Sequence, residues 1–517
     1  MTLWIRRLFT VIILASLQYN AFSQGTDSAR SLYLSGESLI KKNPAEAFQL
    51  LARAMTSARR HEQWPIYLVS VNSLALLDTD DQLRHSRSST KISIDLKRQE
   101  EKVFTWLKEA VEILKNANED SILAQLHYTT GEYYYKLRNE IDQPIFHYQK
   151  AKKIWTILKG EWSEEVSNCY HGLGNIYKYY KFDFYEAEKC YEKALLIREK
   201  IGFNNLDALY KNYYSLATTN RSQNDFEKAL SYGTKALELA KQFDMKGLGP
   251  LRTEMSSGML ANIYRDMNQS SLAKKYYLTA LELNKKTKDL ATRAWYYNSL
   301  GETFKNDSAF NEATEYFEKA YSIYKIPGEI KQQSLRINLL NKMVETYSLM
   351  GDEKNFLRLK RETLTLLDSL DMSESSEASQ LWLLIGGHQQ HNRSYDSALF
   401  CFQKSLVTGV PAFTSMNFQD NPTEEMIGFR YRINETLIKK ASAFKDKFLN
   451  TGDALWLSQS LASLRLAEKL LSRQRNTLDM EDAKWKFLES KYDLYEDILS
   501  SLYQGIDKLP LDTVNSL

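Results

Sequence analysis

Apolar positions along the chain recur with the spacing of amphipathic helices, and small side chains punctuate them at long, regular intervals. Gly131, Gly174, Ala217, Ala261, Gly301 and Gly386 each follow an aliphatic residue or Thr, and three positions on stand Tyr134, Tyr177, Asn220, Tyr264, Phe304 and Gln389. The intervals are 43, 43, 44 and 40 residues, then 85 across one degenerate unit centred on Val344. A second register follows each small residue by 12 or 13 positions: Ala187, Ala229, Ala273, Ala313 and Ala398. Four residues later come Tyr191, Gly233, Tyr277, Phe317 and Phe402, and three further on Ala194, Ala236, Ala280, Ala320 and Ser405. Offsets of 4 and 7 hold each trio on one helical stripe. The pattern predicts antiparallel helix pairs in units of about 42 residues. Small residues let the paired helices approach, and the aromatic fills the groove to the next pair. Acid-bearing starts such as Asp225-Phe226-Glu227 and Asn311-Glu312 favour the N-terminus of each second helix. A long coiled coil does not fit, because heptads would not reset at every unit.

Outside this array the signal weakens. Gly36 with Ala47, Leu51 and Ala54 gives a fainter copy, the stretch around Ala75 a fainter one still, and Asp78 to Glu100 breaks the rhythm as an insertion between two helices. The array stops near Thr408, and Gly409-Val410-Pro411 through Asn421-Pro422 cannot continue a helix. Helical patterning resumes at Glu424 in three segments, about 424–449, 454–475 and 481–504. The expected division is therefore 1–23, 24–118 with the insertion, 119–408 as the repeat array, 409–423 as linker and 424–517 as a C-terminal helical region.

The first 23 residues read as a signal peptide: Arg6 and Arg7, an apolar run from Leu8 to Leu17, then Ala21-Phe22-Ser23 as a cleavage pattern. That run is shorter than a membrane span, so the expectation is cleavage after about Ser23 and export to the periplasm or medium, with no span in the mature chain. Eight Pro and 20 Gly in 517 residues, against 32 Tyr and 22 Phe, suit packed helices and not disorder. A formal net charge of +3 gives no global pull toward nucleic acid. Cys169, Cys190 and Cys401 are an odd set without metal spacing; Cys169 and Cys190, on the two helices of one pair, leave a disulfide open.

The string aliphatic-Gly-x-x-Tyr, followed by Ala-x-x-x-Phe-x-x-Ala, resembles the tetratricopeptide repeat family over about residues 120–408. The unit is longer than that family's common one, and the Pro that often closes its motif is missing. The resemblance implies an all-α, right-handed α-solenoid whose first helices line a concave, ligand-binding side. The C-terminal third is similar to a narrower group, bacterial proteins in which such an array precedes a caspase-like CHAT protease domain. Asn421-Pro422, Leu437-Ile438-Lys439-Lys440-Ala441, the helix from Leu455 to Arg475, and Ser490-Lys491-Tyr492-Asp493-Leu494-Tyr495-Glu496 carry that likeness. It implies that peptidase chemistry belongs to a His/Cys domain beyond Leu517, with a CHAT-like peptidase as a partner.

Candidate chemistry is sparse. No Gly-rich phosphate loop, H-E-x-x-H or G-x-S-x-G occurs. His388 and His391 precede Cys401 by one helix, but two partly exposed His and a packing Cys explain them without a nucleophile, a metal or any other cofactor. The binding face is more specific. Four residues past the small residue of four consecutive repeats stand Lys178, Arg221, Arg265 and Lys305; one past it stand Asn175, Thr218, Asn262 and Glu302. With Tyr214 and Asn298 added, the expected peptide-binding set is Asn175, Lys178, Tyr214, Arg221, Asn262, Arg265, Asn298 and Lys305. Asn would bond peptide amides and the cations would pair with carboxylates. Tyr128, Tyr135 and Trp295 would supply aromatic anchors, and His171 lies on the same face. The alternative for each cation is its place in a helix's last turn, where the dipole already favours it. The expected function is a non-catalytic scaffold for a protein or peptide, not for nucleic acid. The alternative is the regulatory portion of a CHAT-type peptidase system.

Overall fold

A computed structural model describes residues 26–40, 43–60, 64–79, 93–113, 121–138, 141–202, 205–247, 250–326, 333–427 and 433–476. The expected signal peptide and the segment 481–504 lie outside them. Among the described residues every regular element is a helix, 21 α-helices in all. The chain forms two compact units, Met1–Arg252 and Thr253–Leu517.

In the first unit α1 (Thr26–Leu39), α2 (Pro44–Arg60), α3 (Trp64–Thr79) and α4 (Ser93–Ile113) share one core with the start of the array. The break in rhythm is narrower than the sequence implied, since α3 runs to Thr79 and α4 begins at Ser93. Three hairpins follow: α5 (Ser121–Tyr133) with α6 (Asp142–Lys159), α7 (Glu164–Ile176) with α8 (Phe184–Lys200), and α9 (Leu206–Ser222) with α10 (Phe226–Met245). The second unit begins in the first turn of α11 (Leu251–Asp266), which pairs with α12 (Ser270–Thr287). Then come α13 (Leu290–Asn306) with α14 (Phe310–Tyr324), α15 (Gln333–Leu349) with α16 (Glu353–Ser369), and α17 (Ser376–His391) with α18 (Tyr395–Gly409). A short α19 (Glu424–Ile427) precedes α20 (Ile433–Thr451) and α21 (Ala454–Asn476).

The small-residue register has a direct steric cause. A Cβ on Gly174 would meet the Tyr191 ring at 2.6 Å, one on Gly301 the Phe317 ring at 2.5 Å, and one on Gly386 the Phe402 ring at 2.5 Å. Each aromatic therefore seats on the glycine of its own hairpin. This corrects the expectation that it fills the groove to the next hairpin; Tyr148 does both, standing against Gly131 and Gly172. The flanking alanines Ala187, Ala194, Ala273, Ala280, Ala313 and Ala320 are fully buried.

The turn inside each hairpin repeats as well. Phe182, Asn224, Asn268, Ser308, Gly351 and Arg393 have φ between 54° and 69°, and the second helix starts two residues later each time. Asp183, Asp225 and Asp352 then cap their helices by accepting from the backbone N–H of Glu186, Lys228 and Asn355.

Hairpin α20–α21 continues the scheme past the 409–423 segment. Ser460, Leu464 and Ala467 repeat the offsets of 4 and 7, all buried, and Ser460 Oγ donates to the Ala441 carbonyl at 2.8 Å. Lys440 stands where other first helices carry an aliphatic residue or Thr. Its buried ammonium donates to Gln403 Oε1 (2.7 Å), the Asp420 carbonyl (2.7 Å) and Asn421 Oδ1 (2.8 Å), fastening the preceding segment. Burial, opposed by the Asp420 charge, pulls its pKa down to about 7.

One buried pair is expected to make the first unit acid-sensitive. His127 on α5 and His147 on α6 face each other Nδ1 to Nδ1 at 2.9 Å. Burial first, then Lys150, lowers His127 to about 4; burial first, then His127, lowers His147 to about 3. Both sit below the ordinary value of 6.5, so the unfolded chain binds more protons and stability falls as pH drops through 6.5 toward 4. The urea midpoint of this unit is expected to fall between pH 7 and pH 5, where few carboxylates titrate. A His127→Gln, His147→Gln chain should lose most of that slope; an unchanged slope would clear the pair of this role.

Candidate functional site

Three and four residues along a helix share a face, so the positions at −6, −3, +1 and +4 from each small residue form one stripe on every first helix. In the first unit this stripe carries Tyr128 and Glu132 on α5 with Tyr135 on its π-helical end; His171, Asn175 and Lys178 on α7 and its π-helical end; and Tyr214, Thr218 and Arg221 on α9. In the second it carries Met255, Asn262 and Arg265 on α11; Trp295, Asn298, Glu302 and Lys305 on α13; and Glu345 and Ser348 on α15.

Within each unit most of the expected residues are engaged by neighbouring side chains. At four hairpins the +4 side chain reaches the +1 side chain of the following one. Lys178 Nζ donates to Thr218 Oγ1 and, at 3.5 Å, to the Ser215 carbonyl. Arg265 pairs with Glu302 at 3.3 Å, Lys305 with Glu345 at 2.5 Å, and Gln390 donates to Ser442 at 3.0 Å. The +1 residues also serve their own hairpins: Tyr191 Oη donates to Asn175 Oδ1 at 2.7 Å, Tyr277 Oη to Asn262 Oδ1 at 2.6 Å, and Tyr148 Oη to Glu132 at 2.5 Å. Asn298 accepts from Lys342 at 3.2 Å, and Tyr214 packs on Tyr210 with ring centres 5.8 Å apart. Lys178, Arg265 and Lys305 of the ladder thus brace consecutive hairpins, a role that a place in a helix's last turn does not imply.

The two units differ in how the braces are charged. In the second, Glu302 holds Arg265 and Lys342, whose cations keep its carboxyl below the ordinary range despite burial. In the first, Lys178 is 5% exposed and donates to neutral oxygens, Thr218 Oγ1 and the Ser215 carbonyl. Burial, then Arg221, lowers its pKa to about 7. The folded state thus disfavours this charge, most strongly below pH 7, so Lys178→Met is expected to raise the urea midpoint at pH 6. A lower midpoint would mean that its hydrogen bonds outweigh desolvation.

Other sequence candidates take structural places. His388 is 4% exposed, not partly exposed as expected. It bonds Ser348 Oγ and Glu353 Oε2, each at 2.9 Å, and stacks on Phe356 at 3.7 Å. Cys401 is buried, and Cys169 and Cys190 are free thiols. His171 lies on Tyr191, its Nδ1 buried without a hydrogen-bond partner. Among the described residues no group of three His, Cys, Asp or Glu side chains gathers, and no helix is long and apolar enough to cross a membrane.

Residues 165–242 and 252–326 match the tetratricopeptide repeat family model. No curated protein matches in sequence. Among solved structures the chain is similar to the apo form of RapI, at 14% identity and TM-score 0.51, covering 73% of this chain and 94% of that one. It is likewise similar to the apo form of the quorum sensor NprR from B. thuringiensis, at 14% identity and TM-score 0.50, covering 72% and 95%. A third likeness is to a signal transduction ATPase with numerous domains from Pyrococcus horikoshii, a protein with a tetratricopeptide repeat sensor. There identity is 16% and TM-score 0.53, over 75% of this chain and 53% of that one. These likenesses establish the fold, an all-α solenoid of tetratricopeptide-like hairpins.

Proposed function

We propose that the chain is a non-catalytic scaffold that binds an extended peptide, or an extended segment of a partner protein, along its first-helix stripes. One observation carries the reading: the packing registers repeat from hairpin to hairpin, whereas the −6 and −3 positions change freely. At −3 the succession is Tyr128, His171, Tyr214, Gly258 and Asn298, before the register turns inward at the buried Asn341 and Leu383. A surface serving only to stack hairpins would repeat its side chains; one that reads a ligand differs at each step. A quorum sensor and a repeat sensor with the same fold accord with this use. The CHAT-linked reading has no structural observation in its favour, because its last helical segment lies outside the described residues. Export, with cleavage after about Ser23, remains part of the proposal and is read directly by N-terminal sequencing of the mature protein.

The test is selection of displayed random dodecapeptides on the full chain, followed by titration of the enriched peptides against Tyr214→Ala and Asn298→Ala. At least one substitution is expected to weaken binding about tenfold. Enriched peptides that bind both variants as they bind the parent would remove the stripes from the binding surface.

A further inference from the structure

The first-helix stripe of the second unit holds two large apolar side chains that the braces do not use. Trp295 is 39% exposed and Met255 is 38% exposed, both at the −6 position. Their helices are held side by side at two levels. Tyr296 Oη donates to the Glu254 carbonyl at 3.3 Å, with its ring against Gly258, where a Cβ would meet it at 2.5 Å. Further along both helices, Arg265 meets Glu302 at 3.3 Å. Met255 and Trp295 are the sequence neighbours of Glu254 and Tyr296, so they flank the upper tie. Gly258 puts no side chain between Met255 and Asn262.

We propose that Trp295 and Met255 form the seat for one large apolar side chain, aromatic or aliphatic, of a bound peptide. This rests on the peptide-binding reading and specifies what the second unit selects. Two features favour an apolar occupant. Trp295 is rigidly based: its ring lies edge-on to Tyr277 at 6.4 Å and to Tyr296 at 5.2 Å, both buried, and the Tyr277 hydroxyl is fixed on Asn262. A preorganised indole loses little freedom when covered, the property that makes Trp a frequent binding hot spot. The surrounding charges are also satisfied. Arg265 has Asp266 and Glu302, Lys342 has Glu302, and Lys305 has Glu345. An acidic ligand side chain would have to displace one of these carboxylates, whereas an apolar one displaces only water.

The experiment selects displayed random dodecapeptides on the full chain and compares the parent with Trp295→Ser and Trp295→Phe. Expected is a consensus with Phe, Trp, Tyr, Leu, Ile or Met fixed at one position. Affinity should fall about thirty-fold in Trp295→Ser and be largely restored in Trp295→Phe, with unchanged circular dichroism in both. Rescue by Phe separates loss of the seat from loss of fold. A consensus fixed on Asp or Glu, insensitive to Trp295, would overturn the inference and leave the scaffold reading standing. No enrichment at all would sink the scaffold reading, and this inference with it. A parent dimer that Trp295→Ser converts to monomer would assign the face to a second copy of the chain and overturn the peptide seat.

Discussion

Gly386→Val is expected to lower stability by about 3 kcal/mol, while Gly387→Ala, one residue on, is expected to raise it by about 0.5–1 kcal/mol. The two glycines share α17 and differ in what a side chain would meet. A Cβ at Gly386 would stand 2.5 Å from the buried Phe402 ring, whereas one at Gly387 has nothing within 4 Å. In the first case the added atoms force the hairpin apart. In the second they only remove backbone freedom that a helix does not need. Urea titration with hydrogen exchange over α17 and α18 reads both changes. Phe402→Leu in the Gly386→Val background should recover part of the loss, because it withdraws the opposing ring. Loss of stability at both glycines would mean that flexibility, not close approach, dictates glycine here.

The second large effect is expected at Arg198, which is 2% exposed on α8. Its guanidinium donates to Ser167 Oγ at 3.2 Å and Asn168 Oδ1 at 2.8 Å on α7, and to the Ala208 carbonyl at 3.1 Å and Asn212 Oδ1 on α9. Burial lowers its pKa to about 10, with Tyr128, Glu164 and Asp207 acting against that fall, so it is charged at neutral pH. Arg198→Met would strand four acceptors, three of them on buried residues, and should cost about 3–5 kcal/mol. Arg198→Lys is expected to recover little, since an ammonium cannot span the same fork. A cost below about 1 kcal/mol in the urea midpoint of Arg198→Met would show that neighbouring hydroxyls and amides close over the gap.

How much of this was legible in the sequence depended on the range of the interaction. The small and alanine registers could be read because contact between paired helices imposes a steric limit on single positions, and the limit recurs with the unit. The aromatic's partner could not be read, because a period does not say whether Tyr191 or Phe317 leans on its own hairpin or on the next. The braces were hidden for a related reason. Lys305 and Glu345 are 40 positions apart, and only the stacking of hairpins brings +4 opposite +1. Hairpin α20–α21 was half-visible: Ser460, Leu464 and Ala467 keep the offsets, but Lys440 replaces the aliphatic residue and Leu464 the aromatic that advertise the other copies. The exposed Trp295 was legible as a candidate, and its rigid footing on two buried tyrosines was not.

Hydroxyl-radical footprinting of the full chain, with and without a peptide enriched from the displayed library, tests the first-helix stripes as the binding surface most directly. Protection is expected on the first-helix stripes, at Tyr214 in one unit or Met255 and Trp295 in the other. Phe146 and Tyr185, exposed on the second helices α6 and α8, should oxidise as before. Protection confined to Phe146, Tyr185 and other second-helix side chains would contradict it.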